Sequence, residues 1–163
     1  MKYHNILHDN MLNGPGLRVV LFVSGCDRHC EGCQNPETWD KNSGLTFGGE
    51  EAAEIFQALE EEYISGLTLV GGEPLMPYNA PLLTELCKEC KNMFPNKDIW
   101  CYTGFRYEEV KDMEIMKYID ILLDGPFVKA LFDEKLKWVG SSNQRVIDVK
   151  ATRENNHEVI FYK

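Results

Sequence analysis

The sequence predicts an α/β fold built on a mainly parallel sheet that forms part of a barrel and stays open on one side. Three observations carry this. Short β-branched runs alternate with helix-patterned segments, the sign of βαβ units with right-handed crossovers. Three of these runs end in loops of small residues, as the ligand-binding ends of parallel strands do. The third observation is length: a complete eight-unit barrel takes roughly 250 residues, and this chain has 163.

Taken in order, Leu17 to Val23 (LRVVLFV) is an apolar, β-branched run after Gly14-Pro15-Gly16 and reads as a buried strand. Glu50 to Tyr63 places Ala52, Ile55, Phe56, Leu59 and Tyr63 at helical spacing, with glutamates on the other face. GLTLV (66–70) is the second strand. Asn79 to Met93 is a helix with Pro81 in its first turn, where the missing N–H costs little. DIWCY (98–102) is the third strand, Tyr107 to Lys117 a helix and IDILL (119–123) the fourth strand. Beyond Asp124 the pattern loosens; Val146 to Val149 and Val159 to Tyr162 are candidate short strands. No repeat, low-complexity tract or linker interrupts residues 1–163, so one domain is expected, with 150–163 a tail of uncertain structure.

Composition narrows the function classes. Hydrophobic content of 44% and charged content of 26% suit a globular protein. A net charge of −9 argues against a general nucleic-acid binder, which shows a basic stripe. No apolar run approaches the roughly 20 residues of a membrane span. The start, MKYHNILHDNMLNGPG, lacks the apolar core of a signal peptide, so a cytoplasmic location is expected. There the six cysteines are reduced, which favours metal or redox chemistry over disulfides.

The segment FVSGCDRHCEGCQNPETW (22–39) holds Cys26, Cys30 and Cys33 directly after the first strand. Three thiolates are one short of a closed structural zinc site. A [4Fe–4S] cubane normally takes four, so three leave one iron free for another ligand. Two other readings stand beside it. His29 completes a Cys3His zinc set, although it is adjacent to Cys30, and Cys30-Glu31-Gly32-Cys33 has the spacing of a dithiol redox pair. GGEP (71–74), after the second strand, is by itself an ordinary tight loop.

The C-x3-C-x2-C spacing after a buried strand resembles the radical S-adenosylmethionine (radical SAM) superfamily. That resemblance implies a [4Fe–4S] cluster on Cys26, Cys30 and Cys33, its open iron chelated by the methionine part of SAM. It also implies SAM contacts from Gly32, Cys33 and Gln34, and from Gly71, Gly72 and Glu73 at the amino end. NGPGLRVVLFVSGC (13–26), NPETW (35–39), TGF (103–105), DGPF (124–127) and GSSNQR (140–145) together resemble the activating enzymes of anaerobic, class III ribonucleotide reductase. The likeness runs from Tyr3 to about Val149; residues 150–163 match nothing in it.

The activity so implied is a radical SAM oxidoreductase. It cleaves SAM reductively and uses the resulting radical to leave a glycyl radical on the reductase large subunit. A one-electron donor such as flavodoxin is the second implied partner; neither nucleic acid nor membrane is expected. The open side of the partial barrel suits a protein substrate, whose glycine-bearing loop is expected to enter there, with 124–127 and 140–145 as candidate docking loops or plain turns. An activase of the pyruvate formate-lyase type and a zinc-binding module are the alternatives. Cys87, Cys90 and Cys101 sit in apolar settings and read as core residues.

Overall fold

A computed structural model describes residues 1–161. Seven strands form one open sheet: β1 (Lys2–Asn10), β2 (Leu17–Val23), β3 (Leu45–Thr46), β4 (Ile64–Gly71), β5 (Asp98–Tyr102), β6 (Ile121–Asp124) and β7 (Arg145–Asp148), in the order β3-β1-β2-β4-β5-β6-β7. The four strands expected from sequence make the parallel centre, β2-β4-β5-β6. Both flanks are antiparallel, β1 against β2 and β3 on one side and β7 against β6 on the other. The sheet is therefore mixed, parallel only at its centre.

The difference has a physical origin at each flank. β1 (KYHNILHDN) has a weak apolar alternation because it is bulged against β2 between Tyr3 and Asn5 and again between Leu7 and Asn10. Only Tyr3 of this strand is buried, its ring edge-on to Phe47 at 5.8 Å. β7 follows β6 through a loop that turns back without a helix, so it returns antiparallel. Ile160 bridges Ile147 in the antiparallel sense, and Tyr162 lies outside the described residues.

Helices α1 (Gly49–Leu59) and α2 (Ala80–Met93) match the two amphipathic patterns. The helix expected over 107–117 is broken into α3 (Tyr107–Val110) and a 3-10 turn (Glu114–Lys117). Met113 is extended at ψ 142°, which lets Val110, Ile115 and Met116 all reach the core from spacings one straight helix does not bring to one face. Residues 150–155, left open by the sequence, continue α4 (Val149–Asn155), capped by Asp148, whose side chain accepts from the Ala151 N–H.

Alternation along the strands divides the sheet's two faces. Leu21, Leu69, Ile99 and Cys101 join the main core with α1 and α2, and Cys87 and Cys90 are buried in it too. Trp100, Ile121, Leu123 and Val146 form a second cluster on the opposite face. There Arg18, fully buried in β2, is paired with Asp98 at 2.7 Å and lies over the Trp100 ring. Burial pushes the Cys87 and Cys101 thiols well up and Cys90 to about 12, so all three stay protonated. Among the described residues no helix is long and apolar enough to cross a membrane.

Candidate cluster and cofactor site

Because β2, β4, β5 and β6 run parallel, the loops after them share one rim. A cavity of about 520 Å³ opens there, lined by Cys26, Cys30 and Cys33, by Gly71, Gly72 and Glu73, by Thr103 and Gly104, and by Gly125 and Phe127. Gln34 lines it as well. The structure thus brings the three cysteines of one loop together with the small-residue loops of three other strands. Gly32 does not line the cavity. Its φ of +76° makes the left-handed turn between Cys30 and Cys33, closed by the Cys33 N–H donating to the Cys30 carbonyl at 3.1 Å.

The cysteine loop and the GGEP loop are locked together through backbone. Gly72 N–H donates to the Val23 carbonyl at 2.8 Å and Glu73 N–H to the Gly25 carbonyl at 2.7 Å. A Cβ on Gly72 would stand 2.5 Å from the Gly25 oxygen, so no side chain fits without moving the segment before Cys26. Gly71, at φ +105°, is equally close to Val23.

Glu73 turns out to be occupied. Its carboxylate accepts from the Thr103 hydroxyl at 2.7 Å, the Gly104 N–H at 2.7 Å and the Leu75 N–H at 3.1 Å. It is 1% exposed. Burial raises its pKa, and these three donors work against that rise.

Asn79 was read only as the start of a helix. Its side-chain amide does not cap α2. Instead it donates to the Ser24 carbonyl at 2.9 Å and the Glu73 carbonyl at 3.1 Å, tying both loops to the helix start. An Asn at a helix start signals a local cap, which hides a contact made 55 residues away. Arg28 was also missed. It lines the cavity with its guanidinium over the Phe105 ring at 4.5 Å, and its Nε is buried without a hydrogen-bond partner.

The cysteines are free thiols, half-buried at the cavity wall. Burial raises the Cys26 pKa, opposed by backbone N–H groups of Arg28 and His29. His29 faces away from the cavity, its ring stacked on Trp39 at 4.4 Å and 18°. Among the described residues no three His, Cys, Asp or Glu side chains converge closely enough to hold a single metal ion.

The two late motifs fold into one hydrogen-bonded unit. Arg145 pairs with Asp124, Gln144 donates to the Gly125 carbonyl at 3.1 Å and Asn143 to the Pro126 carbonyl at 2.7 Å. Gln144 also accepts from the Gly140 and Ser141 N–H groups. Most polar groups of 140–145 are thus spent on turn chemistry within the fold.

Comparison with known proteins places the chain. Residues 12–147 match the family model described as a 4Fe-4S single cluster domain. An anaerobic ribonucleoside-triphosphate reductase-activating protein of Enterobacteria phage T4 is 45% identical over 146 residues, covering 90% of this chain and 93% of its own. Proteins of the same description from Escherichia coli K12 and Vibrio cholerae are 41% and 40% identical, covering 90% and 88% of this chain and 97% and 96% of theirs. The chain belongs to the anaerobic ribonucleoside-triphosphate reductase-activating family. The 4Fe-4S match supports an iron–sulfur cluster in this activating-family chain, and it spans the cysteine loop. It stops short of α4, the segment for which the sequence offered no likeness.

Proposed function

We propose that this chain activates an anaerobic ribonucleoside-triphosphate reductase by radical SAM chemistry, on an open, partial (βα) barrel forming one domain in the cytoplasm. The observation that carries the reading is the single cavity shared by Cys26, Cys30, Cys33 and the Gly71–Glu73 loop. Cys26, Cys30 and Cys33 would hold the cluster. A cubane presents a separate iron to each thiolate, so its ligands stand farther apart than those of one ion, which favours a cluster over mononuclear zinc here. His29, stacked outside the cavity, is not placed for a Cys3His set either.

When bound, the cluster and SAM supply one-electron cleavage of the sulfonium and a carbon radical able to take hydrogen from a glycine. The chain's own residues bind and orient. Carbonyls of Gly71 and Gly72, exposed by the absence of side chains, would accept from the SAM ammonium. Glu73 adds negative charge nearby while its oxygens hold the loop after β5. The segment from Gly32 to Gln34 would line the methionine end, and Phe127 walls the cavity opposite.

The cavity's open side admits the glycine-bearing segment of the reductase large subunit, and a one-electron donor of flavodoxin type supplies reducing power. Reconstituted, reduced protein mixed with SAM and the reductase should give a glycyl radical by electron paramagnetic resonance. Cluster reduction and SAM cleavage without that radical would sink the assignment to this reductase; a colourless zinc protein after anaerobic iron and sulfide would sink the chemistry.

A further inference from the structure

A second cavity, of about 420 Å³, lies on the outer side of the cysteine loop, lined by Asp27, His29, Trp39, Asp40, Lys41 and Tyr78. Trp39 is the residue it shares with the inner cavity. The indole therefore spans the wall between solvent on one side and the three cysteines on the other. Its backbone is fastened to the same loop, for the Trp39 carbonyl accepts from the Cys26 N–H at 3.0 Å and the Thr38 carbonyl from the Gly25 N–H at 2.6 Å.

Three features of this outer face are unexplained by the inner site. Trp39 Nε1 and Tyr78 OH are both buried donors without a hydrogen-bond partner, and both belong to this pocket. Leaving such groups unmet costs roughly 1–3 kcal/mol each. His29, next in sequence to Cys30, holds a left-handed φ of +46°, uncommon for a residue with a side chain. That conformation lays its ring flat on Trp39. Strain of this kind persists where surroundings enforce it, and it clusters at working sites.

We propose that this outer face is the docking site of a protein-borne one-electron carrier, with the stacked Trp39 and His29 as its contact to the cysteine loop. The inference rests on the proposed function, which fills the inner cavity with SAM and a partner's glycine segment and so leaves electrons to enter elsewhere. A flavoprotein of flavodoxin type fits the chemistry. Acceptor groups on its surface, carbonyls or carboxylates, meet the two unpartnered donors and Lys41, whose ammonium lies over the Tyr78 ring at 5.6 Å. One electron leaves the carrier's reduced flavin and arrives at the cluster; no bond forms or breaks.

The test uses the reconstituted full chain with a reduced flavodoxin and, separately, dithionite. Hydrogen exchange with the flavodoxin, run on cluster-free and reconstituted protein, should protect residues 27–41 and 76–79. Lys41→Glu and Tyr78→Phe should each slow flavodoxin-driven bleaching of the cluster by about tenfold, the scale of a lost interfacial contact. Both should leave dithionite-driven bleaching and iron content unchanged. Equal slowing with both reductants would assign these residues a merely structural role and overturn the proposal. So would protection confined to the inner mouth around Leu12 and Phe132. Absence of any cluster in the unaltered protein overturns the proposed function and this inference together, whereas a normal cluster without the outer footprint overturns this inference alone.

Discussion

The Glu73 carboxylate and the Thr103 hydroxyl meet at 2.7 Å beneath the cavity floor, joining the loop after β4 to the loop after β5. With Gly104 N–H on the other oxygen, this contact sets where Gly72 stands relative to Gly104.

Glu73 makes stability depend on pH. Its pKa is raised above the ordinary 4.5 by burial, so the folded state takes up a proton that the unfolded chain has already released. Stability contributed by this group is full below about 4.5 and is lost as pH rises through the higher folded value. Glu73→Gln should remove that decline, seen as a flatter curve of unfolding free energy against pH. Because the amide nitrogen cannot accept from Thr103 or Gly104, the variant should also lose about 1–3 kcal/mol at pH 5. An unchanged slope in urea titrations would refute the reading of Glu73.

Replacing Cys26, Cys30 or Cys33 by Ala should each abolish stable cluster binding, measured as iron per chain after anaerobic reconstitution. Cys87→Ala, in the closed core, should keep the iron and lower stability by about 1 kcal/mol, the usual size of a small core truncation. Iron loss in Cys87→Ala would overturn the separation of the two cysteine sets.

Gly72→Val follows differently from structure than from sequence. Sequence alone expects weaker SAM binding with iron retained. The 2.5 Å approach of a Cβ to the Gly25 oxygen puts the strain on the cysteine loop itself. Iron content and SAM affinity should therefore fall together, measured by iron assay and equilibrium dialysis; full iron with weak SAM binding would contradict this geometry.

Arg145 holds the end of β6 to the start of β7 through Asp124, which is 1% exposed. Arg145 Nε donates to Asp124 at 3.0 Å, and its other nitrogens reach Glu108 and Glu158. Arg145→Met should cost about 3–5 kcal/mol at neutral pH, because it strands a buried carboxylate. Chemical denaturation gives the number, and restoration by the double variant Arg145→Met, Asp124→Asn would tie the loss to this pair.

What the sequence determined by itself was local or periodic. The runs LRVVLFV, GLTLV, DIWCY and IDILL specify buried parallel strands because β-branched and aromatic residues crowd them. The cysteine spacing names its chemistry because three thiolates eight residues apart at most must share one loop. Tertiary structure decided what depends on residues far apart in the chain. β1 is half-exposed and bulged, so its alternation is too weak to read, and it joins the sheet only because β2 offers an edge. Asn79, Glu73 and Trp39 each carry an ordinary local reading as cap, charge or packing. Their partners Ser24, Thr103 and Cys26 come within reach only when the parallel strands bring all four loops to one rim, a distance no local pattern encodes.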